Sequence, residues 1–186
     1  MQKLPNILTI IRILLIPIIV LLMVNATKSS YILAFILYTI ACITDWFDGF
    51  LARKYNLTSS LGALLDTIAD KLLVITMLLA LVGVGLIKGW GVLAVGIIIL
   101  REVIMPALRQ FLSDYQIDIP ASMIGKVKTT VQMIALGVIL IAPYLHSAFS
   151  TLGLILLWLA AILTLWSATD YFYQGLRQFF AISKKS

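Results

Sequence analysis

Six long apolar stretches constrain this chain more than any other feature of its sequence. They lie near residues 7–25, 31–51, 64–87, 89–112, 121–142 and 148–172, with short polar or Gly- and Pro-containing breaks between them. Each is long enough to cross a bilayer, since a transmembrane helix needs about 20 apolar residues. The composition, 62% hydrophobic and 12% charged, argues against a water-soluble globular domain. The sequence therefore predicts an all-α integral membrane protein, a six-transmembrane-helix bundle.

The six stretches occupy nearly all of the 186 residues, which leaves no room for a separate soluble domain. We expect residues 1–186 to form a single membrane domain. The first stretch is longer than the apolar region of a signal peptide, and no small-residue cleavage site follows it. We therefore expect it to be a retained helix.

The basic residues indicate the orientation of the bundle. With six spans, one side of the membrane receives Lys3, Arg53, Lys54, Arg109, Lys126, Lys128, Arg177, Lys184 and Lys185, and the other side receives only Lys28 and Lys88. Cytoplasmic connections carry the excess of Lys and Arg, so both termini are predicted to be cytoplasmic. The net charge of +6 follows this asymmetry and forms no soluble patch, so we expect no nucleic-acid partner.

Four aspartates stand at the facing ends of the second and third stretches. At about 100° per residue, one helix face carries Asp45 and Asp48 together with the small residues Gly49 and Ala52. In the next helix Gly62, Asp66 and Asp70 follow at intervals of four residues and form a second stripe. The connection between the two helices is short, so they are antiparallel neighbours. The four carboxylates are therefore expected to converge at the cytoplasmic edge.

Such a cluster needs positive charge, because like charges at one site repel one another. Arg53 and Lys71 are too few to neutralise four carboxylates. An all-oxygen site without His or Cys favours Mg²⁺ or Mn²⁺, with Ca²⁺ possible, and four carboxylates suffice for two ions. Single acidic residues near helix ends are often plain interfacial groups, but two facing stripes favour a metal site that binds substrate phosphates.

The spacing of these residues resembles the signature of the CDP-alcohol phosphotransferase family, Asp45-x2-Asp48-Gly49-x2-Ala52-Arg53-x8-Gly62-x3-Asp66-x3-Asp70. Within the family the likeness is greatest to members that use glycerol 3-phosphate. It extends through PNILTIIR at 5–12, TDWFDGFLAR at 44–53, REVIMPALRQ at 101–110 and IGKVKTTVQM at 124–133. Thr67 stands where bacterial members often have proline, which affects only local helix geometry.

The resemblance implies a reaction and a set of roles. A phosphatidyl group would pass from CDP-diacylglycerol to sn-glycerol 3-phosphate, with release of CMP, in phospholipid biosynthesis at the cell inner (cytoplasmic) membrane. The implied metal ligands are Asp45, Asp48, Asp66 and Asp70, with Asp70 also the candidate general base, and the implied nucleotide-binding residues are Gly49, Ala52, Arg53 and Gly62. A homodimer is the family's usual state. Without the motif, Arg53 would be interpreted as a positive-inside anchor.

Ionisable residues in the later apolar stretches are candidates for binding the phosphate of the acceptor. They are Arg101, Arg109, Lys126 and Lys128, and Glu102 adjoins the first of them. Ionisable groups within spans usually face a cavity, and the forked donors of arginine match phosphate oxygens. The alternative is that these side chains extend to the cytoplasmic interface. For Arg12 in the first helix, extension to the interface and contact with the acceptor are equally open.

Other functions remain open at this point. Serine, inositol phosphate or phosphatidylglycerol could replace glycerol 3-phosphate as the acceptor. Outside this class, a cation-coupled membrane transporter also uses intramembrane carboxylates, but places them near the bilayer midplane. A non-catalytic lipid-binding or assembly protein gives no reason for paired acidic stripes.

Overall fold

The computed structural model is all-helical in the residues it describes. These are the backbone of 4–55, 60–117, 119 and 123–183, with side chains except those of 4–8, 46–55, 60, 61, 63, 126 and 180–183. The helices are α1 (Leu4–Val24), α2 (Lys28–Tyr55), α3 (Ser60–Gly83), α4 (Gly91–Asp114), α5 (Met123–Ile141) and α6 (Ala148–Ser183), and a 3₁₀ turn (Ala142–Tyr144) follows α5. The all-α prediction is confirmed.

Several helices have the length and composition of membrane spans. Within the described ranges, three segments are long and apolar enough to cross a bilayer, namely Gly91–Asp114, Met123–Tyr144 and Ala148–Phe179, and Thr9–Val24 is a shorter apolar helix. Large apolar side chains such as Leu14, Leu21 and Trp166 are exposed. Helices that are apolar on their outer as well as their inner faces are typical of membrane proteins. The count of six spans and the cytoplasmic termini stay predictions.

The chain divides into two compact units. The first unit comprises Met1–Lys88 and Leu136–Gly153, and the second comprises Gly89–Ala135 and Leu154–Ser186. The division passes through α5 and α6, each of which contributes to both units. The prediction of a single membrane domain stays a prediction.

In the first unit, α1 packs against both α2 and α3. Residues at helical spacing of three or four are buried along each of these helices. The buried stripes contain Ile16, Ile19 and Met23 of α1, Tyr31, Ala34, Tyr38 and Ala41 of α2, and Ala69, Leu73 and Met77 of α3. Side chains three and four residues apart lie on the same helix face, so each stripe is the surface by which its helix joins the unit.

Small residues let the end of α5 approach its neighbours in the first unit. A Cβ atom at Gly153 would lie 2.6 Å from Ile139 Cγ1, and one at Gly137 would lie 3.4 Å from Tyr38 Cε1. Such close approach is the usual reason for glycine at interfaces between membrane helices. The rings of Tyr31 and Tyr144, with centroids 5.4 Å apart, add an aromatic contact to the same unit.

The end of α3 is fixed by a glycine in the left-handed conformation. Gly85 has φ +75°, its N–H donates to the Val82 carbonyl at 3.0 Å, and the Leu86 N–H donates to the Leu81 carbonyl at 2.9 Å. This pair of hydrogen bonds is the Schellman arrangement, which satisfies carbonyls that the helix leaves without partners. It ends α3 at Gly83, four residues before the end of the apolar stretch near 64–87.

The end of α4 has the same arrangement without a glycine. Gln116 has φ +60°, and the Ile117 N–H donates to the Leu112 carbonyl at 2.9 Å. Leu112 and Ile117 also belong to an apolar cluster of the second unit that contains Met105, Ile119 and Tyr171. Apolar contact between these two positions commonly accompanies the motif, so the turn after α4 is stabilised by packing as well as by hydrogen bonds.

A buried charge cluster joins α4 to α5 in the second unit. Glu102 and Lys128 are 8% and 2% exposed, and Lys128 Nζ donates to Glu102 Oε1. Arg101 Nη1 lies 3.3 Å from the same oxygen. One carboxylate therefore compensates two cations. Removing the anion would leave buried positive charge without its partner, which is costly.

We predict that two glycine-to-alanine substitutions near the end of α3 have opposite effects on stability. Gly85→Ala places a Cβ atom 2.9 Å from Lys88 Cε in a left-handed backbone and should lower the free energy of unfolding by about 1–2 kcal/mol. Gly83→Ala, at a helical position with nothing within 4 Å, should raise it by about 0.5–1 kcal/mol. Thermal unfolding in detergent, followed by circular dichroism, measures both. Shifts of the same sign would contradict this account of the helix end.

Glu102→Gln should lower the free energy of unfolding by about 3 kcal/mol, because Lys128 then remains buried beside a neutral amide. Asp114→Asn is the matched control on the same helix, since Asp114 is exposed and accepts a hydrogen bond only from Gln110 among the contacts described, at 3.1 Å. It should change stability by less than about 0.5 kcal/mol. Equal effects of the two substitutions on the free energy of unfolding in detergent would show that the buried ion pair stabilises the fold no more than an exposed carboxylate does.

Candidate metal and phosphate site

Charged residues continue the buried stripes of the three helices in the first unit. Arg12 lies one turn before Ile16 on α1, and Asp45 lies one turn after Ala41 on α2. Asp66 and Asp70 lie on α3 before Leu73. The contacts of α1 with α2 and α3 therefore bring a positive residue of one helix to the negative residues of the other two.

One nitrogen atom of Arg12 contacts all three of these aspartates. Arg12 Nη1 lies 2.5 Å from Asp45 Oδ1, 3.4 Å from Asp66 Oδ1 and 3.2 Å from Asp70 Oδ1. The Arg12 side chain is fully buried, whereas those of Asp45, Asp66 and Asp70 are 20%, 42% and 43% exposed. The guanidinium thus approaches the carboxylates from the protein interior, and part of each aspartate side chain remains exposed.

The three carboxylates have the chemistry of a site for a hard divalent cation. One oxygen from each of Asp45, Asp66 and Asp70 lies within 4.8 Å of the others. Oxygens bound to one Mg²⁺ at about 2.1 Å are at most about 4.2 Å apart, so the observed separations are close to those that one ion requires. An all-oxygen donor set of net negative charge suits Mg²⁺, Mn²⁺ or Ca²⁺. The residues fit a divalent metal.

Several predicted site residues fall outside the described side chains. They are Asp48, Gly49, Ala52 and Arg53, whose helical backbone belongs to α2, and Lys126 of α5. Gly62 is described and lies on α3 one turn before Asp66. The structure therefore brings together three of the four predicted metal ligands, and the functional roles of all these residues stay predictions.

The predicted acceptor-binding residues that are described lie in the second unit with different partners. Lys128 is paired with Glu102 in the buried cluster, and the guanidinium carbon of Arg109 lies 5.7 Å from the centre of the Tyr171 ring. Arg101 contacts Glu102 at 3.3 Å, and its buried Nε has no hydrogen-bond partner among the described residues. Arg101 thus retains donor capacity for a phosphate, while much of the charge of Lys128 is already compensated.

Sequence reasoning missed the part that Arg12 plays. For Arg12 the sequence predicts extension to the interface or contact with the acceptor, and the cations expected near the aspartates are Arg53 and Lys71. Arg12 is buried against three carboxylates, so its side chain does not extend to the interface. A signal was present, because Arg12 falls at helical spacing with the buried positions Thr9, Ile16 and Ile19 of α1.

Comparison with known proteins agrees with the sequence motif. The family model described as CDP-alcohol phosphatidyltransferase matches residues 2–166. A protein of Escherichia coli (strain K12) named CDP-diacylglycerol--glycerol-3-phosphate 3-phosphatidyltransferase is 39% identical over 171 residues, which cover 91% of this chain and 92% of the relative. Proteins of the same name from Shigella sonnei (strain Ss046) and Shigella flexneri serotype 5b (strain 8401) have the same identity and coverage.

The family model spans every position of the aspartate motif, and the match to these relatives extends over nearly the whole chain. The resemblance first found in the spacing of Asp45, Asp66 and Asp70 is thereby confirmed, and the chain belongs to the CDP-alcohol phosphatidyltransferase family.

Proposed function

We propose that this protein is a phosphatidylglycerophosphate synthase, which transfers the phosphatidyl group of CDP-diacylglycerol to sn-glycerol 3-phosphate and releases CMP. The relatives of 39% identity carry the name of this activity. The observation that carries the proposal is the convergence of the Asp45, Asp66 and Asp70 carboxylates within 4.8 Å in a chain of this family. Such a cluster matches the need of a nucleotide diphosphate for a bound divalent cation.

Asp45, Asp48, Asp66 and Asp70 would hold Mg²⁺ or Mn²⁺, with room for two ions. The bound metal would supply positive charge to the pyrophosphate and to the departing CMP. The exposed part of the aspartate side chains, 42% for Asp66 and 43% for Asp70, supports access from outside the packed helices. Gly49, Ala52 and Gly62 would admit the nucleotide close to the backbone, and Arg53 would pair with a phosphate.

Asp70 is the proposed general base, accepting the proton of the attacking glycerol hydroxyl. A general base needs hydrogen-bond reach to that hydroxyl. Asp70 meets part of this requirement, because its side chain is held by Arg12 at 3.2 Å and is still accessible. A carboxylate fixed on one side and open on the other can accept a proton without losing its orientation.

The acceptor phosphate would be bound by Arg101, Arg109, Lys126 and Lys128. Among the described members of this set, Arg101 is the best candidate for binding the phosphate, because its buried Nε lacks a hydrogen-bond partner among the described residues. Such a donor gains a charge-assisted hydrogen bond when a phosphate binds. A phosphate-bearing acceptor also agrees better with this basic set than serine does, since serine carries no phosphate.

We further propose that the enzyme lies in the cell inner membrane as a homodimer, with its active site facing the cytoplasm. The apolar helices support the membrane location, and the distribution of Lys and Arg supports the orientation. Glycerol 3-phosphate would then reach the site from the cytoplasm, and CDP-diacylglycerol would reach it from the cytoplasmic leaflet.

The reaction is tested by CMP release from CDP-diacylglycerol in detergent micelles. Release should require glycerol 3-phosphate, stop when EDTA removes divalent metal, and return with Mg²⁺ or Mn²⁺. Asp70→Asn should lower kcat at least about 100-fold, because an amide accepts no proton at neutral pH. Asp170→Asn, which alters a carboxylate that accepts a hydrogen bond from Gln174 on α6, is the control and should retain activity.

CMP release without metal, or an active Asp70→Asn enzyme, would contradict the proposal. The same assay with serine, inositol phosphate and phosphatidylglycerol in place of glycerol 3-phosphate identifies the acceptor. Turnover with any of these at the rate seen with glycerol 3-phosphate would reject the assignment of the acceptor while leaving the transfer chemistry intact.

Arg101→Ala should raise KM for glycerol 3-phosphate by about 10- to 100-fold, the loss expected for a hydrogen bond to a charged group, and leave KM for CDP-diacylglycerol nearly unchanged. Arg177→Ala removes an exposed arginine of the second unit and is the matched control, with little effect on either constant. Equal increases in both KM values for Arg101→Ala would remove Arg101 from the acceptor site.

A further inference from the structure

Arg12 makes an unusual set of contacts for an arginine. Its terminal nitrogen Nη1 lies 2.5–3.4 Å from one oxygen of each of three aspartates. Arginine more often binds a single carboxylate with two parallel hydrogen bonds. A single atom shared by three carboxylates behaves as a fixed central charge, which holds the side chains of two helices at one point.

Burial makes this contact difficult to abandon. The Arg12 side chain has no exposure to solvent, and a guanidinium remains charged at any ordinary pH. A buried charge that loses its partners costs several kcal/mol. The energetic cost of an unpaired buried charge therefore favours the contacts between Arg12 and the aspartates, including when a ligand binds on the exposed side of the carboxylates.

We infer that Arg12 is a positioning residue that orients Asp45, Asp66 and Asp70 for the divalent metal from the buried side of the site. This inference rests on the proposed function, since it concerns the metal that the aspartates would hold. The guanidinium fixes one oxygen of each carboxylate and leaves the rest of the carboxylate to the ion. Groups that orient metal ligands in this way typically contribute 10- to 100-fold to metal affinity or activity.

An alternative arrangement, in which Arg12 and the metal bind the same carboxylate oxygens, predicts a change in metal affinity of the opposite sign. If the guanidinium occupied the position of the metal, the two cations would compete for the same oxygens. Removing Arg12 would then remove a repelling charge and tighten metal binding. The sign of the change in metal affinity therefore distinguishes a supporting cation from a competing one.

The test is Mn²⁺ binding to the full-length protein in detergent without substrates, measured by electron paramagnetic resonance of the free ion. Arg12→Gln should weaken Mn²⁺ binding about 10- to 100-fold. Arg12→Lys should restore affinity to within about tenfold of the native protein, because an ammonium offers three donors on a single nitrogen. Lys28→Gln is the charge-matched control, since Lys28 is exposed and lies about 25 Å from Asp45 along α2.

Unchanged or tighter Mn²⁺ binding by Arg12→Gln would overturn the inference. Absence of Mn²⁺ binding by the native protein would instead refute the metal site of the proposed function, so the two failures are distinguishable. If Arg12→Gln does not fold, ¹⁵N-arginine NMR of the native protein with Mg²⁺ tests the inference instead. The signals of Arg12 are assigned by their absence from the spectrum of Arg12→Lys. The Arg12 side-chain N–H signals should stay protected from solvent exchange at Mg²⁺ saturation, and loss of protection would overturn the inference.

Discussion

The negative charges of Asp45, Asp66 and Asp70 must be compensated among apolar helices, and this requirement constrains how the helices of the first unit pack. Three carboxylates on α2 and α3 lie close enough to repel one another, and burial on one side removes the water that would weaken that repulsion. Arg12 supplies one positive charge from α1. One guanidinium does not balance three carboxylates, so the same geometry that holds Arg12 also favours a divalent cation on the open side.

Much of the fold could be predicted from the sequence, because bilayer-length apolar stretches and helical periodicity are local properties. Each of the six stretches lies largely within one helix. Their ends were less predictable: α3 stops at Gly83 because Gly85 adopts a left-handed conformation, and α6 continues to Ser183, past the apolar stretch near 148–172. Hydropathy does not predict where these helices end. A helix can continue beyond the bilayer through polar residues, and a residue in the left-handed conformation can end a helix within an apolar stretch.

The candidate site was predicted in part. The spacing of Asp45, Asp66 and Asp70 was sufficient to expect their convergence, because the connection between α2 and α3 is short. The pairing of Arg12 with these residues, and of Lys128 with Glu102, could not be deduced in the same way. Each pair joins side chains of different helices, and the sequence does not state which faces of two helices meet. A basic residue within an apolar stretch therefore has several plausible partners until the packing is known.

The central claim, that these carboxylates bind divalent metal together, is tested most directly by anomalous diffraction from crystals soaked in Mn²⁺. Data collected at the manganese absorption edge should show a peak about 2.2 Å from an oxygen of each of Asp45, Asp66 and Asp70. A peak elsewhere in the protein, or carboxylates turned away from one another with no peak between them, would contradict the account.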